Sequence, residues 1–173
     1  MHSIGQLVAK AEKGVDLGIE ITPYENRIVI PKIGKNIPLV DIMDQNIEGE
    51  SELNDIFMKE LENGVIRYPG SALPGEEGNS FIFGHSSNFP WLEWSFNEVF
   101  ALLDNVEDGD EIIVYYEQKK FTYRINRKEV IKPWDVSIIK NKEKGVKELT
   151  VMTCWPIGTT YNRLLLIGEI VNE

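Results

Sequence analysis

One cysteine and one internal histidine are the side chains of this sequence best suited to covalent chemistry. The 173-residue chain contains a single cysteine, Cys154, and two histidines, His2 and His85. A thiolate attacks carbonyl carbons, but near neutral pH it needs a neighbouring base or cation in order to form. His85 could be that base. The two residues therefore predict nucleophilic catalysis by Cys154, provided that the fold brings them together.

Arg163, nine positions after Cys154, supplies a third group of the right type. A carbonyl under attack develops negative charge on its oxygen, and a cation or hydrogen-bond donor placed there stabilises that charge. Each residue also has an ordinary structural explanation. A lone cysteine is most often a small buried hydrophobic residue, a histidine at a strand end can be merely hydrogen-bonded, and an isolated arginine commonly lies over a strand. Residue types alone leave both interpretations open.

The cysteine and histidine content also bounds the other chemistry available to the chain. One cysteine cannot close an internal disulfide, and one cysteine with one internal histidine is too few for a typical structural zinc site. We therefore expect no metal site built from these ligands.

Length, composition and charge describe one acidic globular domain. The chain has the length of a single domain, and its 42% hydrophobic and 10% aromatic residues suffice for a core, which excludes global disorder. Its 28 acidic and 18 basic side chains give a net charge of −10. Such a surface repels phosphate backbones and anionic lipid headgroups, so we expect no nucleic-acid partner.

Short β-rich runs predict strands, and three of them place the reactive residues. Residues 79–84 run into His85, residues 149–153 run into Cys154, and residues 164–171 follow Arg163. Strand ends at one rim of a barrel could bring the three side chains together. Further strands are predicted at 27–31, 37–40, 111–116 and 121–125.

Two short helices are predicted between the strands. Apolar residues at helical spacing, followed by Gly64, predict a helix whose apolar face is formed by Leu53, Ile56, Phe57 and Leu61. A Ser-x-x-Glu capping box at 95–98 begins a second apolar pattern that predicts a helix behind His85, formed by Phe96, Val99, Phe100 and Leu103. Residues 68–78 are too rich in Pro and Gly for either regular element. We predict a mostly β fold, either a closed or nearly closed antiparallel barrel or a sandwich.

The beginning of the chain carries no membrane signal of its own. No apolar run reaches the roughly 18 residues needed to span a bilayer. Residues 1–26 read as a polar, loosely helical lead without the apolar segment of a signal peptide. From the residues alone, either a cytoplasmic protein or one whose targeting segment lies outside this chain remains open.

The sequence around Cys154 resembles the signature of the sortases. Residues 150–154 read Thr-Val-Met-Thr-Cys and are followed by Arg163, which is close to the Leu-x-Thr-Cys pattern of that family with Val151 in place of Leu. In the same order, residues 64–75 and 79–85 resemble the family's loop and its histidine strand, and residues 28–34 resemble its first strand. The similarity spans residues 27–171. The short segment 155–162 resembles classes D and E rather than class A.

This resemblance implies a closed eight-stranded sortase-type β-barrel with short inserted helices and a cysteine transpeptidase activity. Cys154 would cleave a Leu-Pro-x-Thr-Gly-like sorting signal after Thr and form a thioacyl-enzyme. His85 would protonate the departing amine and deprotonate the incoming one, while Arg163 would hold the substrate and stabilise the oxyanion. Thr153, Ser86 and Trp155 are predicted to contact the substrate.

The resemblance also implies partners and a cellular place. The partners would be the sorting-signal peptide of a secreted protein and an amine acceptor, either a cell-wall precursor or a pilin lysine. Residues 27–173 would form the catalytic domain, and residues 1–26 a lead that follows a membrane anchor absent from this chain. The protein would then act at the extracytoplasmic face of the bacterial membrane.

No organic cofactor is expected, and calcium binding is weighed and set aside. Clustered carboxylates are what a hard cation such as calcium requires. A solvated helix face explains the acidic run better. That run comprises Glu48, Glu50, Glu52, Asp55, Glu60 and Glu62.

Two other functions are kept beside transpeptidation. In the first, water resolves the acyl-enzyme, which makes the protein a cysteine peptidase; capture of the acyl group by an added amine separates the two. In the second, the barrel is a binding module without catalysis and Cys154 is simply buried. Trp91 and Trp94, which follow His85, could line an acceptor pocket or pack in the core.

Overall fold

The computed structural model describes residues 22–42, 49–86, 96–135, 137–140 and 145–172. Within these ranges the chain forms eight strands that close into one barrel. The strands are β1 (Arg27–Ile30), β2 (Lys35–Asp41), β3 (Val65–Arg67), β4 (Gly78–Phe83), β5 (Glu111–Tyr116), β6 (Lys119–Ile131), β7 (Lys147–Trp155) and β8 (Asn162–Asn172). Residues 1–21 of the predicted lead at 1–26 and the two tryptophans at 91 and 94 lie outside the described residues.

The barrel has the neighbour order β1-β2-β3-β4-β7-β8-β6-β5, and β5 pairs back onto β1. This closure confirms the barrel and excludes the sandwich. The expectation of a purely antiparallel sheet is wrong at two places, because β2 pairs with β3 and β4 pairs with β7 in parallel. Parallel neighbours need a crossover connection, and the first of these contains the helix α1 (Glu50–Glu60).

Two sets of apolar side chains lie on opposite faces of the barrel wall. The inner set forms the main core and includes fully buried residues such as Ile28, Ile112 and Val151. A smaller cluster consists of Phe81, Leu165 and Ile167, which alternate along their strands with core residues. It therefore lies on the outer face of β4 and β8. Half-buried residues pack against this outer cluster: Tyr68, Phe83, Ile131, Ile138, Ile139 and Met152.

Helix α1 confirms the first predicted helix and covers part of that outer face. Its half-buried Phe57 makes an edge-to-face contact with Phe83 of β4, with ring centroids 4.9 Å apart. The helix also contacts β3. A second helix, α2 (Ser137–Lys140), was not predicted. None of the helices in the described part of the chain is long and apolar enough to cross a membrane.

The second predicted helix does not form as an α-helix. Ser95 of the capping box lies outside the described residues, residues 96–102 form turns, and a 3-10 helix follows at Leu103–Asn105. The amide of Phe100 donates to the carbonyl of His85 (3.0 Å) instead of to a carbonyl one helical turn earlier. Val99, Phe100 and Leu103 are nevertheless buried. The apolar spacing therefore reports which side chains enter the core, and the backbone reaches that arrangement through tight turns.

Candidate active site

Cys154 and Arg163 lie opposite each other where the β7–β8 hairpin opens. They are Cα partners in the antiparallel pair, with Thr153 paired to Leu164 on one side and Trp155 paired to Asn162 on the other. Both Cys154 and Arg163 are half-buried. The hairpin thus presents the thiol and the guanidinium at one end of the barrel wall.

His85 reaches the same end of the wall from the neighbouring strand. The last Cα partners of the parallel pair β4 and β7 are Phe83 and Met152. Each chain then runs two residues further, to His85 on one side and to Cys154 on the other. Because the strands are parallel, equal offsets from a paired position leave the two residues side by side, just past the last paired residues of β4 and β7.

The surroundings of His85 favour its neutral form. The residue is half-buried, and burial lowers the pKa of its imidazole from the usual 6.5. Its backbone is fixed by the hydrogen bond from the amide of Phe100 to its carbonyl, 3.0 Å. A neutral imidazole can accept a proton, which is what a base for a thiol must do.

Two buried hydroxyl groups connect the histidine segment with the cysteine segment. The Ser86 hydroxyl donates to the carbonyl of Cys154 at 2.7 Å, and the Thr153 hydroxyl donates to the carbonyl of Gly84 at 2.9 Å. Both hydrogen bonds extend the contact between β4 and β7 beyond the last paired residues of the ladder.

The arginine is held by the connection between β7 and β8. Nη1 of Arg163 donates to the carbonyls of Thr160 (3.1 Å) and Asn162 (3.0 Å). The Asn162 side chain in turn accepts a hydrogen bond from Nζ of Lys132 at 3.0 Å. Within the described part of the chain, both hydrogen bonds of the Arg163 guanidinium are made by Nη1, so its other nitrogens can face a ligand.

A cavity of about 520 Å³ joins these groups to the outer apolar cluster. His85, Thr153, Cys154 and Arg163 all line it. Most of the remaining wall is apolar or aromatic, and much of it comes from α1. These wall residues include Leu53, Phe57, Met58, Leu61, Tyr68, Phe81, Phe83, Pro133, Ile139 and Met152. The cavity therefore places a thiol, an imidazole and a guanidinium at one end of an apolar groove.

The structure treats the three predicted substrate contacts differently. Thr153 lines the cavity. Ser86 is not among the lining residues, and its hydroxyl is engaged by the carbonyl of Cys154. Trp155 is also absent from the lining, because its partly buried side chain packs against the main core. The position of Thr153 in the cavity wall therefore supports a direct substrate contact. The positions of Ser86 and Trp155 do not.

The sequence reasoning missed that α1 and the residue after it, Leu61, form a wall of the cavity. Phe57, Met58 and Leu61 were interpreted, where considered, only as the core-facing side of a helix. The sequence did offer one indication of this wall: the amphipathic helix comes shortly before β4 and His85 in the chain. Among the described residues no group of three or more His, Cys, Asp or Glu side chains is arranged to hold a metal ion. Glu48 lies outside that part, and the absence of cofactors stays a prediction.

Comparisons with known proteins show which family this chain belongs to. Residues 28–171 match the family model of the sortase domain. Sortase D of Bacillus subtilis is 28% identical over 145 residues, which cover 82% of this chain and 61% of that protein. Sortase SrtE1 of Streptomyces coelicolor is 27% identical over 151 residues, which cover 80% of this chain and 40% of that protein. The chain therefore spans less than two thirds of the length of either relative.

Solved structures of sortases share the fold of this chain. Sortase C-1 from Actinomyces oris superposes with a TM-score of 0.69 at 26% identity, over 100% of this chain and 85% of that one. Sortase A from Corynebacterium diphtheriae gives a TM-score of 0.68 at 25% identity, over 88% of this chain and 62% of that one.

Proposed function

This chain belongs to the sortase family, whose members are cysteine transpeptidases. We propose that it cleaves the sorting signal of a secreted protein and joins that protein to an amine. Cys154 is the nucleophile, His85 the general acid and base, and Arg163 the group that holds the substrate and the oxyanion. The observation that carries the proposal is the register of the strand ends. Arg163 lies opposite Cys154 across β7 and β8, and His85 lies at the matching offset beyond β4.

The first half of the reaction forms the thioacyl-enzyme. The imidazole of His85, which burial keeps neutral, accepts the proton of the Cys154 thiol. The sulfur attacks the carbonyl carbon of Thr in a Leu-Pro-x-Thr-Gly-like signal, and the guanidinium of Arg163 stabilises the oxyanion. The C–N bond breaks, His85 returns its proton to the leaving amine, and a thioester to Cys154 remains.

The second half passes the acyl group to the acceptor. An amine enters, His85 accepts its proton, and the nitrogen attacks the thioester carbonyl. The C–S bond breaks, a new amide forms, and the proton returns to the sulfur of Cys154. We propose an amine from a cell-wall precursor or a pilin lysine as the acceptor.

The groove supports an apolar, extended peptide as the donor. A cavity of about 520 Å³ with aromatic and aliphatic walls suits the Leu and Pro side chains of such a signal. Those side chains are uncharged, so the net charge of −10 does not oppose their binding. Thr153, which lines the cavity beside Cys154, is our candidate for a polar contact with the peptide.

Subclass and location are part of the proposal. The connection between β7 and β8 comprises only residues 156–161, and the curated relatives include a sortase D and a sortase E. Both features favour a class D or E enzyme. Sortases act on the outer side of the cell membrane, and we propose the same location for this protein.

Intact-mass spectrometry tests the function directly. The protein is mixed with a panel of Leu-Pro-x-Thr-Gly-like peptides, with and without an added amine, and Cys154→Ala serves as the blank. We expect an acyl adduct on Cys154 that passes to the amine, and a loss of turnover of about 10⁴-fold or more in Cys154→Ala.

The remaining outcomes are equally decisive. An adduct that is lost only to water would make the protein a cysteine peptidase. The absence of an adduct with every peptide would reject the proposed donor. Circular dichroism of Cys154→Ala checks that the barrel is intact, as expected for a half-buried residue near the end of a strand.

A further inference from the structure

Two hydroxyl groups beside the reactive residues donate hydrogen bonds in opposite directions between the same two segments. Ser86 follows His85 in sequence and donates to the carbonyl of Cys154, while Thr153 precedes Cys154 and donates to the carbonyl of Gly84. The O···O distances are 2.7 and 2.9 Å. Ser86 is 1% exposed and Thr153 is 2% exposed, so water does not compete for either bond.

These bonds lie where the backbone ladder has ended. The Cα pairing of β4 with β7 stops at Phe83 and Met152, and the amide of Gly84 donates one further backbone hydrogen bond to the carbonyl of Met152 (3.2 Å). His85 and Cys154 lie beyond that point. Cys154 remains paired with Arg163 of β8, but toward β4 the two side-chain bonds take over from the backbone ladder beside His85 and Cys154.

We propose that Ser86 and Thr153 are positioning residues that hold the imidazole of His85 and the thiol of Cys154 at reacting distance. The proposal rests on the proposed function and deepens it, because it assigns the spacing of the catalytic pair to two named hydroxyls. The donor of each bond belongs to one catalytic segment and the acceptor to the other. Loss of either hydroxyl therefore weakens the contact that sets the distance between His85 and Cys154.

The chain offers a matched control for each residue. Thr150 is a second threonine of β7, 0% exposed, and Ser80 is a serine of β4, 1% exposed. Neither hydroxyl has a hydrogen-bond partner among the described residues, and neither residue lines the cavity. Thr150→Val and Ser80→Ala therefore remove a buried hydroxyl from the same two strands without removing a hydrogen bond.

The kinetic test compares Thr153→Val and Ser86→Ala with these controls, using a peptide that the wild type turns over. A misplacement of about 1 Å can reduce a rate by about 10²-fold, so we expect kcat to fall by about 10- to 100-fold in both variants, with KM unchanged in Ser86→Ala. Thr153→Ser keeps the hydroxyl and should retain the wild-type kcat. Thr150→Val and Ser80→Ala should also turn over at the wild-type rate.

A second measurement needs no peptide. The rate of alkylation of Cys154 by iodoacetamide is followed against pH in each variant. Because the neighbouring imidazole governs formation of the thiolate, we expect the pH midpoint to shift in Ser86→Ala and Thr153→Val but not in the two controls. This readout stands even if no sorting peptide is turned over, so it separates failure of the positioning proposal from failure of the proposed function.

Several results would overturn the proposal. Wild-type kcat and an unchanged alkylation midpoint in both variants would show that the hydroxyls position nothing. Equal effects in the control variants would assign the loss to packing. A raised KM with unchanged kcat in Thr153→Val would make that residue a substrate contact only. Ser86→Ala is the smaller change, and its kcat and alkylation midpoint decide the outcome if Thr153→Val does not fold.

Discussion

Cys154 and Arg163 are directly opposed residues of the antiparallel pair β7 and β8. Directly opposed residues of such a pair project to the same face of the sheet. The thiol and the guanidinium therefore share the face that carries the apolar groove, and the short hairpin between the two strands fixes that relationship locally. The histidine is brought to them by the parallel neighbour β4.

Arg163→Lys should separate planar hydrogen bonding from positive charge. Lysine keeps the charge but loses the planar guanidinium, whose Nη1 donates to two carbonyls and whose other nitrogens would donate to the proposed oxyanion. We expect the rate of acyl-enzyme formation to fall on the order of 10²-fold. Quenched time courses of acyl-enzyme formation measure this rate. Arg127→Lys, at an exposed position of β6, is the control. Equal rates for Arg163→Lys and the wild type would return Arg163 to a structural role.

His85 should make the folded state sensitive to mild acid. Burial lowers its pKa below 6.5, so at pH values just below 6.5 the unfolded chain binds a proton that the folded chain does not. The stability linked to this residue is therefore present above about pH 6.5 and is lost as the pH falls through the lowered pKa.

Urea unfolding of the wild type and His85→Gln at pH 7.5 and 5.5 measures this loss. Because glutamine does not titrate, His85→Gln should lose less stability on acidification than the wild type. The carboxylates titrate in both proteins, so their contribution cancels in the comparison. The same decrease in both proteins would show that His85 is not linked to folding.

Phe57→Ala should weaken binding of the donor peptide. The Phe57 ring packs edge-to-face on Phe83 and lines the cavity with Met58 and Leu61. Removing it takes away an apolar wall, and we expect KM to rise by about 10-fold with a smaller change in kcat, as for a loss of somewhat more than 1 kcal/mol of apolar contact. Steady-state kinetics check this. Leu102→Ala removes an exposed apolar side chain away from the cavity and should leave KM unaltered.

Gly84→Ala should disturb the strand end that carries His85. A Cβ at this position would lie 2.7 Å from Cγ1 of Val65 and 2.8 Å from Cε2 of Phe100. Both neighbours are buried and cannot move aside freely. Overpacking of this kind typically costs about 1–3 kcal/mol, so we expect a lower urea midpoint together with reduced turnover. A wild-type midpoint would mean that the core accommodates the methyl group without strain.

Arg67→Met should destabilise the barrel at the ends of β2 and β3. Nε of Arg67 lies 2.7 Å from Oδ1 of Asp41, whose other oxygen accepts a hydrogen bond from Tyr116, and the two ion-pair side chains are 10% and 23% exposed. Removing one partner leaves a poorly solvated carboxylate, which we expect to cost about 3 kcal/mol in unfolding free energy.

A matched exposed pair provides the control for Arg67. Arg124 and Glu111 are 2.8 Å apart, but their side chains are 55% and 44% exposed. Arg124→Met should therefore cost about 1 kcal/mol or less. Equal unfolding free energies for the two variants would contradict the distinction between a buried and a solvated ion pair.

Much of the barrel and of the site could be predicted because it depends on local patterns. The strand runs that end at His85 and Cys154 have β-rich sequences of ordinary length, and they occur as β4 and β7. By contrast, β3 has three residues and too few positions to show a period. Strand pairing is a long-range property, so no local pattern could reveal that β4 lies parallel to β7.

The failed helix at 96–103 has a different cause. Its apolar spacing satisfied the helical pattern because Val99, Phe100 and Leu103 all enter the core. The backbone amide of Phe100 instead serves the carbonyl of His85, a partner that is remote in sequence. Similarly, the contact of Ser86 with Cys154 joins residues 68 positions apart and left no trace in either local sequence.

This 68-residue separation makes the chemistry a property of the finished barrel. A chain that ends at β6 contains His85 but neither the nucleophile nor the arginine, and closing so long a loop is entropically slow compared with forming a hairpin. Cys154 lies on β7, which neighbours β4 in the closed barrel, so the thiol and the imidazole of His85 come to the same place only in the folded chain. A nascent or partly unfolded chain therefore lacks the proposed pair of Cys154 and His85, and we expect it to show no transpeptidase activity before the barrel is complete.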